Sequence, residues 1–191
     1  EVQPSNSKTQ MDPDFYKYKD WIELYNTSSS SVDISGYYIT DNKDKPRKWQ
    51  VPNGQSIGAG KYVIIYCDGE DVTGKAMHTN FKLSTSGDKL YMYSSSMLLL
   101  DSVSIVDVET DYTYGRLVNG TGAWASLSRP TPGAANVSTT VKGLAPKPVF
   151  SIKGGYFNKE QSVSLSTTLS GAVIRYTTDG SEPTENSPIY S

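Results

Sequence analysis

One histidine, one cysteine and a scatter of carboxylates are the side chains here that could do chemistry. His78 and Cys67 lack metal-ligand spacing, and no second histidine is present to serve as the base for a nucleophile. His78 is therefore read as a structural hydrogen-bonding residue, and Cys67, at the end of an apolar run, as a small buried hydrophobe. Serine is plentiful, but no second histidine is present to activate one. Gly58-Ala59-Gly60-Lys61 has the glycines and lysine of a phosphate cradle, yet a strand-like run follows it where a P-loop needs a helix, so it reads as a turn. These residues predict no catalytic, metal or cofactor-binding residue, and no cofactor.

The carboxylates gather in two loops. Asp41, Asn42 and Asp44 form one group, and Asp12, Asp14 and Asp20 lie near another. Calcium takes about six to eight oxygens from such loops. Lys43, Lys45, Arg47 and Lys48 interleave the first group and oppose a cation, and EF-hand spacing is missing. That basic cluster reads as a solvated loop. Glu23, on a strand face with Trp21 and Tyr25, is expected to pair with a neighbouring Lys or Arg. Tyrosines are numerous, and Tyr37, Tyr38, Tyr112 and Tyr114 are the candidate interaction surface, for a glycan or a protein. Tyrosine is equally at home in half-buried strand positions. Asn26, Asn119 and Asn136 begin Asn-x-Ser/Thr sequons, which matter only in a eukaryotic secretory route.

The elements that must hold these groups are strands. Residues 20–26 alternate, placing Ile22 and Leu24 on one face and Trp21, Glu23 and Tyr25 on the other. Residues 32–41 form a second run, and the two together read as an antiparallel hairpin. Further strands are expected at 1–2, 47–51, 61–67, 88–93, 98–106, 112–118 and 123–127, separated by Gly, Asn and Asp turns. Gly36 inside its run suggests a bulge. Residues 10–19 read as an ordered loop leaving a first, edge strand, and 68–80 as a second long excursion. Such punctuation predicts an all-β sandwich. Two prolines and Gly133 close the first domain at 137, 138–147 read as a linker, and strand signals resume at 149–152, 162–166 and 172–177 within a second module spanning 148–191. Some 45 residues without disulfides seldom bury enough surface to be stable alone, so that module is expected to be truncated. A near-balanced net charge of -2 argues against a dedicated nucleic-acid binder, and apolar stretches such as residues 97–100 are too short to span a bilayer.

Residues 20–26, 32–41, 49–52, 57–69, 78–83, 86–90, 114–116 and 130–136, in that order and spacing, resemble the lamin tail domain of bacterial extracellular proteins. The resemblance covers nearly all of 1–137 and implies an immunoglobulin-like β-sandwich. In that family the first strand begins a few residues earlier, so Glu1 is expected to sit inside a cut strand. Residues 174–184, followed by Ser187-Pro188-Ile189-Tyr190, resemble the chitobiase/β-hexosaminidase C-terminal type of module, a small fibronectin-III-like sandwich.

Together the resemblances imply a non-catalytic accessory module of a bacterial multidomain surface protein, used for adhesion, targeting or domain spacing. The expected place is extracellular or at the cell surface. The expected partner is a protein or glycan there, with no nucleic acid, no membrane insertion and a monomeric state. Two alternatives stand beside this. The chain is an accessory fragment of a larger enzyme, carbohydrate-active or spore-coat kinase-like, with its catalytic domain beyond Ser191; or it is itself a glycan-binding module.

Overall fold

The computed structural model describes residues 1–137 and 145–191. It divides into two compact units, Glu1–Val141 and Lys142–Ser191. Most of the expected linker, residues 138–144, lies outside the described residues.

The first unit contains β1 (Val2–Gln3), β2 (Trp21–Tyr25), β3 (Val32–Asp33), β4 (Tyr38–Thr40), β5 (Trp49–Gln50), β6 (Ser56–Ile57), β7 (Tyr62–Tyr66), β8 (Met77–His78), β9 (Asp88–Tyr93), β10 (Leu99–Ile105), β11 (Thr113–Arg116) and β12 (Trp124–Leu127). The second contains β13 (Val149–Phe150) and β14 (Leu165–Ser166). No helix occurs among the described residues, so the all-β class stands.

A six-stranded sheet in the order β12-β11-β1-β2-β7-β8 and a four-stranded sheet in the order β10-β9-β4-β5 supply the two layers of the first unit. Apolar residues of both sheets form one buried cluster: Val2, Ile22 and Ile65 from the first, Ile39, Trp49 and Leu90 from the second. Burying such aliphatic side chains contributes about 1.5–3 kcal/mol each.

Two expectations are corrected here. The 20–26 run does not form a hairpin with 32–41: β2 pairs with β1 and β7, whereas β3 pairs with β6 and β4 with β5 and β9. Alternation marks a strand but does not name its neighbours. The buried Asn26 diverts the chain, because its side-chain amide donates to the carbonyls of Ser30, Ile57 and Gly58. The 32–41 run is itself cut at Gly36, whose φ of 75° suits a turn between strands of different sheets. The second correction concerns β1, which is no edge strand but lies between β11 and β2.

In the second unit β13 and β14 form a two-stranded sheet. The expected strand at 172–177 is reduced to one bridge, Arg175 to Ile189. None of its described residues is buried.

Candidate functional site

The register of the six-stranded sheet aligns Gln3, Trp21, Tyr66 and His78 across β1, β2, β7 and β8. Their chain neighbours Val2, Ile22, Ile65 and Met77 face the core cluster, so alternation sends this row to the opposite, outer face. The row is nonetheless sealed, each member at most 1% exposed. The connection between β1 and β2 covers it. The Tyr66 hydroxyl donates to the Met11 carbonyl (2.9 Å), Trp21 Nε1 donates to Gln3 Oε1 (2.5 Å), and Phe15 meets the His78 ring edge-on at 5.2 Å. Tyr66 stacks on the other side of that ring at 5.4 Å. Burial also pushes the Tyr66 hydroxyl above its ordinary pKa. The covering loop is ordered, as expected: Asp12 N–H donates to Lys17 O, Tyr16 N–H to Asp12 O, and Asn6 Nδ2 to Gln10 O and Lys19 O.

Three carboxylates converge on His78. Asp68 Oδ2 lies 3.1 Å from Nδ1, while Asp14 Oδ2 at 3.3 Å and Asp12 Oδ1 at 3.7 Å both face Nε2. Asp68 arrives from the chain just beyond β7, and Asp12 and Asp14 arrive from the covering loop. Backbone N–H groups of Lys75 and Ala76 donate to Asp14 and hold its carboxyl below the usual range. Gly74 is required beside it, since a Cβ there would run into the Asp14 carboxylate. Lys19 Nζ stands 3.8 Å from Asp68 Oδ2. Asp12, Asp68 and His78 each bring a potential ligand atom to within 4.8 Å of the others. The fully enclosed ring has no face open to a substrate.

His78 is buried in hydrogen-bond contact with Asp68 and Asp14, partners that its neighbours in sequence do not name. In the sequence Asp68 stands only as a turn residue between Cys67 and Gly69, and Asp12 and Asp14 only as loop oxygens. The available signal was a loop carrying Asp12-Pro13-Asp14 and a strand ending in Asp68; their convergence needs the tertiary fold. Asp20 does not join them, and burial pushes its carboxyl up to about 7. In the other acidic loop Asp41 is paired with Lys48 at 2.6 Å. Cys67 is buried in the core cluster, which raises its thiol pKa. Glu23 is not paired with a Lys or Arg side chain among the described residues. Its Oε1 accepts the Gly133 N–H (2.5 Å), and burial pushes the carboxyl up to about 7. The expectation of a cationic partner fails because the 130–136 turn folds back over β2 and supplies a backbone donor. Each sequon asparagine has its Nδ2 engaged, Asn26 by carbonyls, Asn119 by the Tyr62 hydroxyl and Asn136 by the Arg116 carbonyl.

The candidate tyrosines fall on two sheets. Tyr37 and Tyr38 belong to the β4 region and Tyr112 and Tyr114 to the β11 region. Tyr37, Tyr112 and Tyr114 pack partly buried against the core. Tyr38 is half-buried and its hydroxyl accepts from Gln50 Nε2 at 3.1 Å. Tyr114 stacks on Trp124 at 5.7 Å. Trp124 in turn borders a cleft of about 290 Å³ lined by residues of both sheets, among them Ile22, Met92 and Arg116. Arg116 lies over the Trp124 ring at 4.7 Å and pairs with Asp101 at 2.7 Å.

Two facing sheets with a side-chain-filled interior define an accessory β-sandwich module of the immunoglobulin-like kind. The Lamin Tail Domain family matches residues 1–107, more than half of the chain, and the chain belongs to that family. The chitobiase/beta-hexosaminidase C-terminal domain matches residues 152–191. Strands β11 and β12 lie outside the first match, yet they hydrogen-bond into the six-stranded sheet beside β1. A search of curated proteins found no match to the chain.

Proposed function

We propose that this chain is a non-catalytic accessory segment of a bacterial multidomain protein, acting outside the cell or at its surface in adhesion, targeting or domain spacing. The observation that carries this reading is the pairing of two module families along one chain. Residues 1–137 form the lamin-tail unit and 148–191 the second module. The closed setting of the only histidine supports the same reading, because a group sealed by Phe15, Tyr66 and three carboxylates cannot serve as a base for an external substrate. Among the described residues no helix is long and apolar enough to cross a membrane. The purified chain is expected to bind to cell-wall polymer or a surface protein in co-sedimentation while leaving aryl glycosides and phosphoesters untouched. Turnover of either at enzyme-like rates overturns the proposal.

A second reading, glycan recognition, draws on the cleft beside Trp124. An aromatic face with an adjoining Arg116 and Asn119 provides the apolar and polar surfaces that a sugar ring presents to a protein. Replacement of Trp124 by Ala should abolish retention on a glycan array if this reading holds, and an array blank for the unaltered chain dismisses it.

A further inference from the structure

We infer that the Asp12, Asp14 and His78 cluster is a binding site for a single transition-metal dication of the zinc class, held on His78 Nε2 with Asp68 orienting the ring from behind. Four observations combine. The first is donor bookkeeping at the imidazole. Asp68 Oδ2 lies 3.1 Å from Nδ1, placed to accept a proton carried there. With the ring proton on Nδ1, Nε2 turns a lone pair toward Asp14 Oδ2 and Asp12 Oδ1, which also present lone pairs. A cation resolves that conflict.

The second observation is spacing. Zinc binds nitrogen and carboxylate oxygen at about 2.0–2.2 Å, so two ligands of a tetrahedral centre stand roughly 3.4 Å apart. The separations of 3.3 and 3.7 Å from Nε2 straddle that value. The third is an orphan atom. Asp12 is wholly buried, and its Oδ2 meets no hydrogen-bond donor among the described residues. A buried carboxylate with one unpartnered oxygen costs free energy that a cation held on the same carboxylate would offset. The fourth is charge. Of the three carboxylates only Asp68 lies near Lys19, itself shared with Glu70, and the Lys75 ammonium turns to Pro13 O and the Tyr16 hydroxyl instead. That leaves an excess of carboxylate charge at the site, which a divalent ion would offset.

The carboxylate–histidine–metal arrangement matches the role Asp68 has here, since a ligating imidazole is normally aimed by an acceptor on its far nitrogen. A mixed nitrogen and oxygen set suits zinc or its neighbours over calcium, which prefers oxygen alone. Entry runs past Asp14, the partly exposed member at 18%, under the loop bearing Phe15. The ion's role is structural: it ties the loop after β1 to the segment between β7 and β8.

The test uses the whole chain after chelator treatment, with Zn²⁺ followed by calorimetry and Co²⁺ by visible absorption. One ion per chain, and the intense visible bands of four-coordinate Co²⁺, are expected. Asp12→Asn keeps the side chain's shape and should weaken Zn²⁺ binding by more than about 100-fold; Asp68→Asn should weaken it by roughly 10–100-fold, the range for an orienting partner. Should either variant fail to fold, the imidazole ¹⁵N spectrum of the unaltered chain decides. Zn²⁺ should move Nε2 while Nδ1 keeps its proton. Absence of saturable Zn²⁺ and Co²⁺ uptake, uptake that Asp12→Asn leaves unchanged, an Nε2 signal indifferent to Zn²⁺, or tighter Ca²⁺ than Zn²⁺ binding each overturns the inference.

Discussion

The two units of this chain use the same strand vocabulary with opposite results. In residues 1–137 two sheets enclose an apolar cluster, and a second sealed layer lies on the outer face of the larger sheet. In residues 145–191 there is a two-residue ladder, a bridge, and large apolar side chains in the open, with Phe150 at 61% exposure and Val173 likewise. Strand propensity does not by itself make a domain. A pair of short strands is marginal in water, and stability begins when a third strand or a facing layer buries the apolar side. The second unit has no such layer within its own described residues.

The contrast can be broken or sharpened by experiment. Its largest expected effect is on folding itself: residues 145–191 expressed alone should show no cooperative thermal transition, whereas residues 1–137 should melt in one step. A sharp transition in the short fragment would remove the distinction. Next in size, Trp21→Ala in the sealed outer layer should cost about 3–5 kcal/mol by urea titration of the whole chain. Phe150→Ala, at an exposed site, should stay within about 0.5 kcal/mol.

A smaller effect concerns pH. Burial raises the Glu23 carboxyl from its ordinary 4.5 to about 7, so the folded state favours the protonated form. The stabilisation from Glu23 is therefore complete below about 4.5 and is lost as pH climbs through about 7. Glu23→Gln should flatten that decline by on the order of 2 kcal/mol, read from urea midpoints between pH 4 and 8. Asp20, raised to about 7 in the same way, should leave a residual slope of the same sign. Least of all, Asp41→Asn removes a partly exposed ion pair with Lys48 and should change stability by at most about 1 kcal/mol.

Much of the fold could be read without coordinates because its signals are local. The alternation of 20–26, the β-branched and aromatic run at 61–67 and the turn residues between strands each act over a few positions, and β2 and β7 appear where expected. The strands β6 and β8 did not announce themselves, being two residues long with no room to alternate. Pairing was misread for β2 because Asn26 redirects the chain through contacts with carbonyls some thirty positions away. Glu23 was misassigned for a similar reason, its partner being the distant Gly133.

The sequence alone determined the strand-rich composition, the turn positions and the two module families, since each depends on residue type at short range. Tertiary structure alone decided which strands are neighbours and that Asp12, Asp14 and Asp68 meet at His78. Those residues come from three separate stretches of chain, and only the register of β1, β2, β7 and β8, together with the loop laid over them, carries them to one buried point.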